Sequence, residues 1–157
     1  MLKFEVNNQK GSLKIKPLLK RLEKFFKKDF KKPTVVSLAI VDKKISKKLN
    51  QKYRGKREAT DILTFVYEEK DATGEIVLCY DKIKERAKKE DGTVLGVAAR
   101  LIVHGLFHIL GYTHKEDRAA LKMEQKEGAA LKRISAIMAL KITSFDCSKC
   151  KHLSKSR

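Results

Sequence analysis

Histidine, cysteine and acid are all scarce in this chain, and each scarcity narrows what it can be. Three cysteines, Cys79, Cys147 and Cys150, are an odd number with two close to the end, so no disulfide framework is implied. A reducing compartment, the cytoplasm, fits such usage best. Asp and Glu number 19 against 37 Lys and Arg, a formal net charge of +18 over 157 residues. That deficit of acid speaks about partners rather than fold, and a polyphosphate such as nucleic acid has the right sign. A lysine-rich solvated surface is the plain alternative. Long apolar runs are absent too. The longest, Val94 to Leu110, is interrupted by Arg100 and two histidines and is too short to span a bilayer comfortably. The opening residues Met1 to Val6 alternate apolar and polar like a strand, unlike a secretory leader. No internal repeat is visible, and neither a membrane partner nor a small-molecule cofactor is expected.

What is present concentrates in one place. Three of the four histidines fall in the run His104-Gly105-Leu106-Phe107-His108-Ile109-Leu110-Gly111-Tyr112-Thr113-His114. His104 and His108, four apart, stack one turn from each other on a single helix face. Gly111 stands where that helix would end, because glycine takes the left-handed conformation that terminates it. The chain can then turn back and deliver His114 to the same point. Three neutral imidazoles converging from a helix and a turn suit one catalytic zinc ion, with the remaining position left to water. Buried histidines satisfied by hydrogen bonds are the bland reading, and a poor fit to this spacing in a histidine-poor chain. The pattern also matches the H-E-x-x-H-x-x-G-x-x-H of metzincin proteases, except that Gly105 stands in place of the glutamate base. Glycine takes no proton, so a metallohydrolase on that plan lacks the group that activates its water.

Periodicity gives the frame around this run. Residues 2–7 read as a strand, and Pro17 opens a helix carrying Leu18, Leu19, Leu22, Phe25 and Phe26 at helical spacing, ended by Pro33. Val35 to Val41 reads as a buried strand, and Ser46 as the cap of a short helix through Tyr53. Ile62 to Tyr67 and Glu75 to Tyr80 read as two strands of a hairpin joined by Glu68 to Gly74. Asp81 is the expected cap of a helix over Lys82 to Lys89, and Asp91-Gly92-Thr93 breaks it before the histidine helix. With Asp117 as a candidate cap, a long helix runs from Ala119 to Ala139 through Leu121, Met123, Glu124, Leu131, Ile134 and Ile137. The order β-α-β-α-β-β-α-α-α predicts an α/β (α+β) fold, a mixed sheet of about four strands covered by helices in a single domain over residues 1–140. Residues 141–157 form a polar tail expected to be flexible. Its Cys147-Ser148-Lys149-Cys150-Lys151-His152 is half of a zinc ribbon's ligand set, a weak signal whose role stays open.

Three separated blocks make the chain similar to the YbeY family of zinc-dependent endoribonucleases and rRNA maturation factors, over nearly its whole length to residue 140. Leu49-Asn50-Gln51-Lys52-Tyr53-Arg54 followed by Thr60-Asp61-Ile62-Leu63-Thr64-Phe65 resembles the family's L-N-x-x-[YF]-R and T-D-V-L-S-F. Gly74-Glu75-Ile76-Val77-Leu78 resembles its G-D-I strand. The histidine run resembles H-G-x-L-H-L-x-G-Y-D-H, so a glycine after the first histidine is the family's own choice. Thr113 stands in place of the aspartate before the third histidine, and Glu75 in place of the strand's aspartate. The resemblance implies a single-strand-specific endoribonuclease acting in maturation of the small-subunit rRNA 3′ end and in ribosome quality control. It implies one zinc ion on His104, His108 and His114, with Arg54 facing the metal cleft. Arg54 would clamp the scissile phosphate, and Lys52, Lys56 and Arg57 would follow the RNA backbone. The nucleophile is left open between water and the RNA's own 2′-hydroxyl; a 2′,3′-cyclic phosphate product would mark the second. Two other readings stand beside this one. One is a ribosome-binding assembly factor with little catalysis of its own, the other a metzincin-like hydrolase without its base.

Overall fold

Alternation along the first residues produces β1 (Leu2–Asn8), which buries Leu2 and Phe4 and exposes Lys3 and Glu5. The computed structural model describes residues 1–8, 13–67, 74–114, 116–138 and 153–155. Pro17, in the first turn of α1 (Lys16–Phe25), has a fixed φ suited to a helix start and no N–H to leave unbonded. A 3-10 turn over Phe26–Lys28 carries the chain to β2 (Thr34–Val41), parallel to β1. Then come α2 (Lys43–Arg54), β3 (Ile62–Tyr67), β4 (Gly74–Cys79), α3 (Tyr80–Lys89), α4 (Val94–Ile109) and α5 (Asp117–Met138).

The sheet order is β1-β2-β4-β3-β5, with β4 parallel to β2 and antiparallel to β3. The mixed sheet and the expected element order are both present. The fifth strand, β5 (Leu153–Lys155), lies in the tail and pairs parallel with Phe65–Tyr67 of β3. An edge strand offers a row of unpaired backbone groups, and that template is a tertiary property no local pattern in the tail reveals. The connection 68–73, the rest of the tail, and with it Cys147, Cys150 and His152, lie outside the described residues.

Successive residues of a strand face opposite ways, so the sheet builds two cores. Val41, Leu63, Phe65 and Val77 meet Ile45, Leu49 and Tyr53 of α2 on one face. Leu38, Ile40, Ile62, Ile76 and Leu78 meet α1, α3, α4 and α5 on the other. There α4 is buried along Gly96 to His108, which is why its sequence is apolar all round. Among the described residues no single helix is long and apolar enough to cross a membrane.

Three capping expectations change. The cap of α2 is Asp42, whose carboxylate accepts from the Ile45 N–H at 2.8 Å; Ser46 is buried inside the helix, and its hydroxyl donates to the Thr60 carbonyl at 2.7 Å. Asp81 lies within α3, and its carboxylate accepts from the Lys43 N–H at 3.2 Å, joining α3 to α2. Asp117 is the first residue of α5 and contributes charge to its first turn. Along α5 the buried stripe is Met123, Glu127, Ala130, Leu131 and Ile134, whereas Leu121 and Ile137 are exposed. Those two lie at helical spacing in the sequence but off the phase of the buried stripe.

Candidate metal centre

The third histidine depends on how α4 ends. Thr93 caps its start, accepting from the Gly96 N–H at 2.9 Å. At the other end the Tyr112 N–H donates to the Phe107 carbonyl and the Gly111 N–H to the His108 carbonyl, both at 2.9 Å. This pair of bonds is a Schellman closure, and Gly111 supplies its left-handed residue with φ of 90°. The reversal brings His114 back against the helix. Its ring stacks on His104 with centroids 5.4 Å apart and lies 5.2 Å from that of His108. One nitrogen from each of the three rings lies within 4.8 Å of the others, so the structure assembles all three expected ligands.

The hydrogen bonds of the rings decide what the cluster can hold. His108 Nδ1 faces the Tyr112 carbonyl at 2.8 Å, and a carbonyl only accepts, so that nitrogen carries the proton. His104 Nδ1 faces a Glu127 carboxylate oxygen at 3.2 Å and donates to it. Each ring therefore turns its Nε2 inward, and the two Nε2 atoms are 2.9 Å apart. Two lone pairs at that distance repel unless a cation or a proton lies between them. The donor set fits a divalent ion that prefers imidazole.

Glu127 is the residue sequence reasoning missed. An acid in a charged helix reads as solvated, yet it sits four residues after Met123 and seven before Ile134, on the buried stripe. It is 4% exposed, and its second oxygen, Oε1, has no hydrogen-bond partner among the described residues. A carboxylate on the outer nitrogen of a ligand histidine fixes the tautomer and raises the ring's basicity.

Gly105 explains the missing protease base. A Cβ built there would lie 2.8 Å from Ile76 Cδ1 and 3.1 Å from Thr64 Oγ1. Position 105 faces the sheet and has no room for a glutamate. Arg54 ends α2 just before Gly55, which is left-handed at φ 70°. Its neighbour Tyr53 packs edge-on against Phe65 with centroids 4.9 Å apart. Gly105 approaches Thr64, the adjacent residue of β3, from the other face. Half-buried Arg54 is flanked by the exposed Lys52, Lys56 and Arg57.

Known proteins are similar to this chain over most of its length. The family model described as Endoribonuclease YbeY matches residues 3–135. Proteins named Endoribonuclease YbeY from Cupriavidus metallidurans and Herminiimonas arsenicoxydans are 36% and 32% identical over 75% and 80% of this chain. The matches span 61% of the first relative's length and 87% of the second's. The solution structure of TM1509 from Thermotoga maritima superposes with a TM-score of 0.69 at 27% identity, covering 96% of this chain and all of that one.

Proposed function

Since the chain belongs to the YbeY endoribonuclease family, we propose that it is a zinc-dependent endoribonuclease cutting single-stranded RNA in the cytoplasm. Its substrate is the small-subunit rRNA, at the 3′ end, and it serves rRNA maturation and ribosome quality control with the ribosome as partner. The observation that carries this reading is the pair of inward Nε2 atoms 2.9 Å apart, with His114 completing the set. When bound there, a zinc ion supplies Lewis acidity toward a phosphate oxygen and lowers the pKa of water.

The chain's own groups do the rest. Glu127 and the Tyr112 carbonyl hold the two helix-borne rings in the tautomer that turns Nε2 toward the site. Arg54, always charged and planar, clamps the scissile phosphate and offsets its developing charge. The excess of cations draws a polyanion in, and makes its binding salt-dependent. Unpaired RNA suits such a site because its backbone can be surrounded.

The test sets wild type beside His104→Ala, purified identically to control for host nuclease. Mass spectrometry should find one zinc per wild-type chain and none in the variant. Cleavage of a single-stranded rRNA 3′-end fragment should fall by orders of magnitude in the variant. Undiminished cleavage by His104→Ala would assign the activity to a contaminant. Ribosome binding and growth rescue by that variant, with no cleavage by either protein, would favour the assembly-factor reading.

A further inference from the structure

Behind the metal centre lies a groove of about 860 Å³ between the end of α1 and the outer face of α5. Its floor includes Phe107 and Tyr112, from the same α4 end and turn that hold the ligands. Phe107 precedes His108, and the Tyr112 carbonyl accepts the His108 Nδ1 proton. Groove and metal centre are therefore two sides of one short stretch of chain. The volume is at the upper end of small-molecule sites, about 300–1,000 Å³. Its charge is what sets it apart.

Five cations line it, Lys24, Lys27, Lys28, Lys126 and Arg133, against one carboxylate, Asp29. Among the described residues none of the five is ion-paired, whereas Lys43, Lys82 and Lys84 are paired with Glu85 or Asp81. Two of the cations lie over aromatic rings. The Arg133 guanidinium carbon is 5.2 Å from the Phe25 centroid, and Lys126 Nζ is 5.6 Å from that of Tyr112. Both rings are half-buried. Cations to follow a backbone, with an arginine and a lysine held over aromatic rings, are features of a single-stranded nucleic-acid track. A folded cation surface that needs only solubility has no use for aromatic neighbours in a concavity.

We propose that this groove docks the single-stranded RNA substrate at a distance from the cleavage point, and delivers the strand to the metal centre around the Phe107–Tyr112 turn. The proposal rests on the nuclease reading and names where its substrate is held. It puts the main affinity on the α1–α5 side, away from Lys52, Lys56 and Arg57.

The experiment compares two triple variants of the whole protein, each losing three charges. One is Lys27→Gln with Lys126→Gln and Arg133→Gln in the groove. The other is Lys3→Gln with Lys88→Gln and Lys89→Gln, all exposed and outside it. Fluorescence anisotropy with an unstructured oligoribonucleotide of about 16 nucleotides, over a salt series, gives Kd and its salt dependence. The groove variant should bind at least tenfold more weakly, with the log–log salt slope reduced by about 2, at roughly 0.7 per lost contact. Its zinc content should equal that of wild type. The control triple should stay within about twofold. Equal effects in both triples would reduce the groove to general charge and overturn the proposal, as would wild-type affinity in the groove variant. If wild type binds and cleaves RNA while the groove variant matches it, only the docking site fails. If wild type neither binds nor cleaves RNA, the nuclease reading fails and takes the docking site with it.

Discussion

Two polar clusters are anchored one turn apart on α4, at Arg100 and at His104, and they differ in what their buried side chains meet. Arg100 and His104 are four residues apart and share a helix face. Arg100, 0% exposed, meets Glu90 Oε2 at 2.9 Å; Glu90 Oε1 takes Arg86 Nε at 2.8 Å, and Arg86 also grips Asp61. Two cations face two carboxylates, so the charge balances inside the chain. Burial pulls the Arg100 guanidinium below its ordinary pKa, and the Glu90 charge opposes that pull. At His104 the partners are a second histidine and one buried carboxylate. Two ring nitrogens face each other at 2.9 Å, and the Glu127 carboxylate keeps Oε1 without a hydrogen-bond partner among the described residues. The charges of the first cluster pair with one another, so it reads as a brace; the second converges three imidazoles, so it reads as a place held for an ion.

Breaking the brace should give the largest change in stability. Arg100→Met fills similar volume but removes the charge from Glu90. Losing one member of a buried pair costs about 3–5 kcal/mol. Glu90 is a quarter exposed and keeps Arg86, so about 2–3 kcal/mol is expected, read as a lower urea midpoint. Zinc stoichiometry should stay at one. A variant that loses metal at unchanged stability would reverse the roles assigned to the two clusters.

The second comparison acts on the open cluster. Glu127→Gln keeps the shape but weakens the acceptor on His104 Nδ1. Zinc Kd should rise about 10–100-fold, equivalent to roughly 1.4–2.7 kcal/mol. Competition with a chromophoric chelator measures it without any cleavage assay. Stability of the metal-free protein should hold or rise, since a buried carboxylate has been removed. An unchanged Kd would show that the Tyr112 turn alone orients the rings.

The two clusters were unequally legible. The histidines and Gly111 declared themselves because a rare residue type at fixed spacing, with a helix stop between, leaves few geometries. The brace was not visible, because Asp61 and Arg86 are ordinary surface types until β3 and α3 bring them together. Glu127 was hidden for the same reason, from the opposite side of the core. Strand and helix order followed from alternation and period, which are local. Caps were harder: Asp42 and Ser46 both have capping side chains, and burial against Thr60 claimed the second. The burial of α5 depends on phase, which is set by where Met123 meets the core rather than by Leu121 or Ile137.

Gly105→Ala separates the seating of α4 from the chemistry it carries, and has the smallest expected effect. Alanine inside a helix gains about 0.5–1 kcal/mol over glycine. Against that, its Cβ would press on Ile76, which is fully buried and has little room to yield. Overpacking of this kind costs about 1–3 kcal/mol. The balance is a net loss of about 1 kcal/mol, seen as a small drop in the urea midpoint. Because the contact lies on the sheet side of α4, zinc affinity should fall less than in Glu127→Gln. A stabilised Gly105→Ala would mean that α4 has space to move from the sheet, and that close packing is not what fixes His104. A collapse of zinc binding would mean the reverse, that ring positions follow the helix's distance from Thr64 more closely than they follow Glu127.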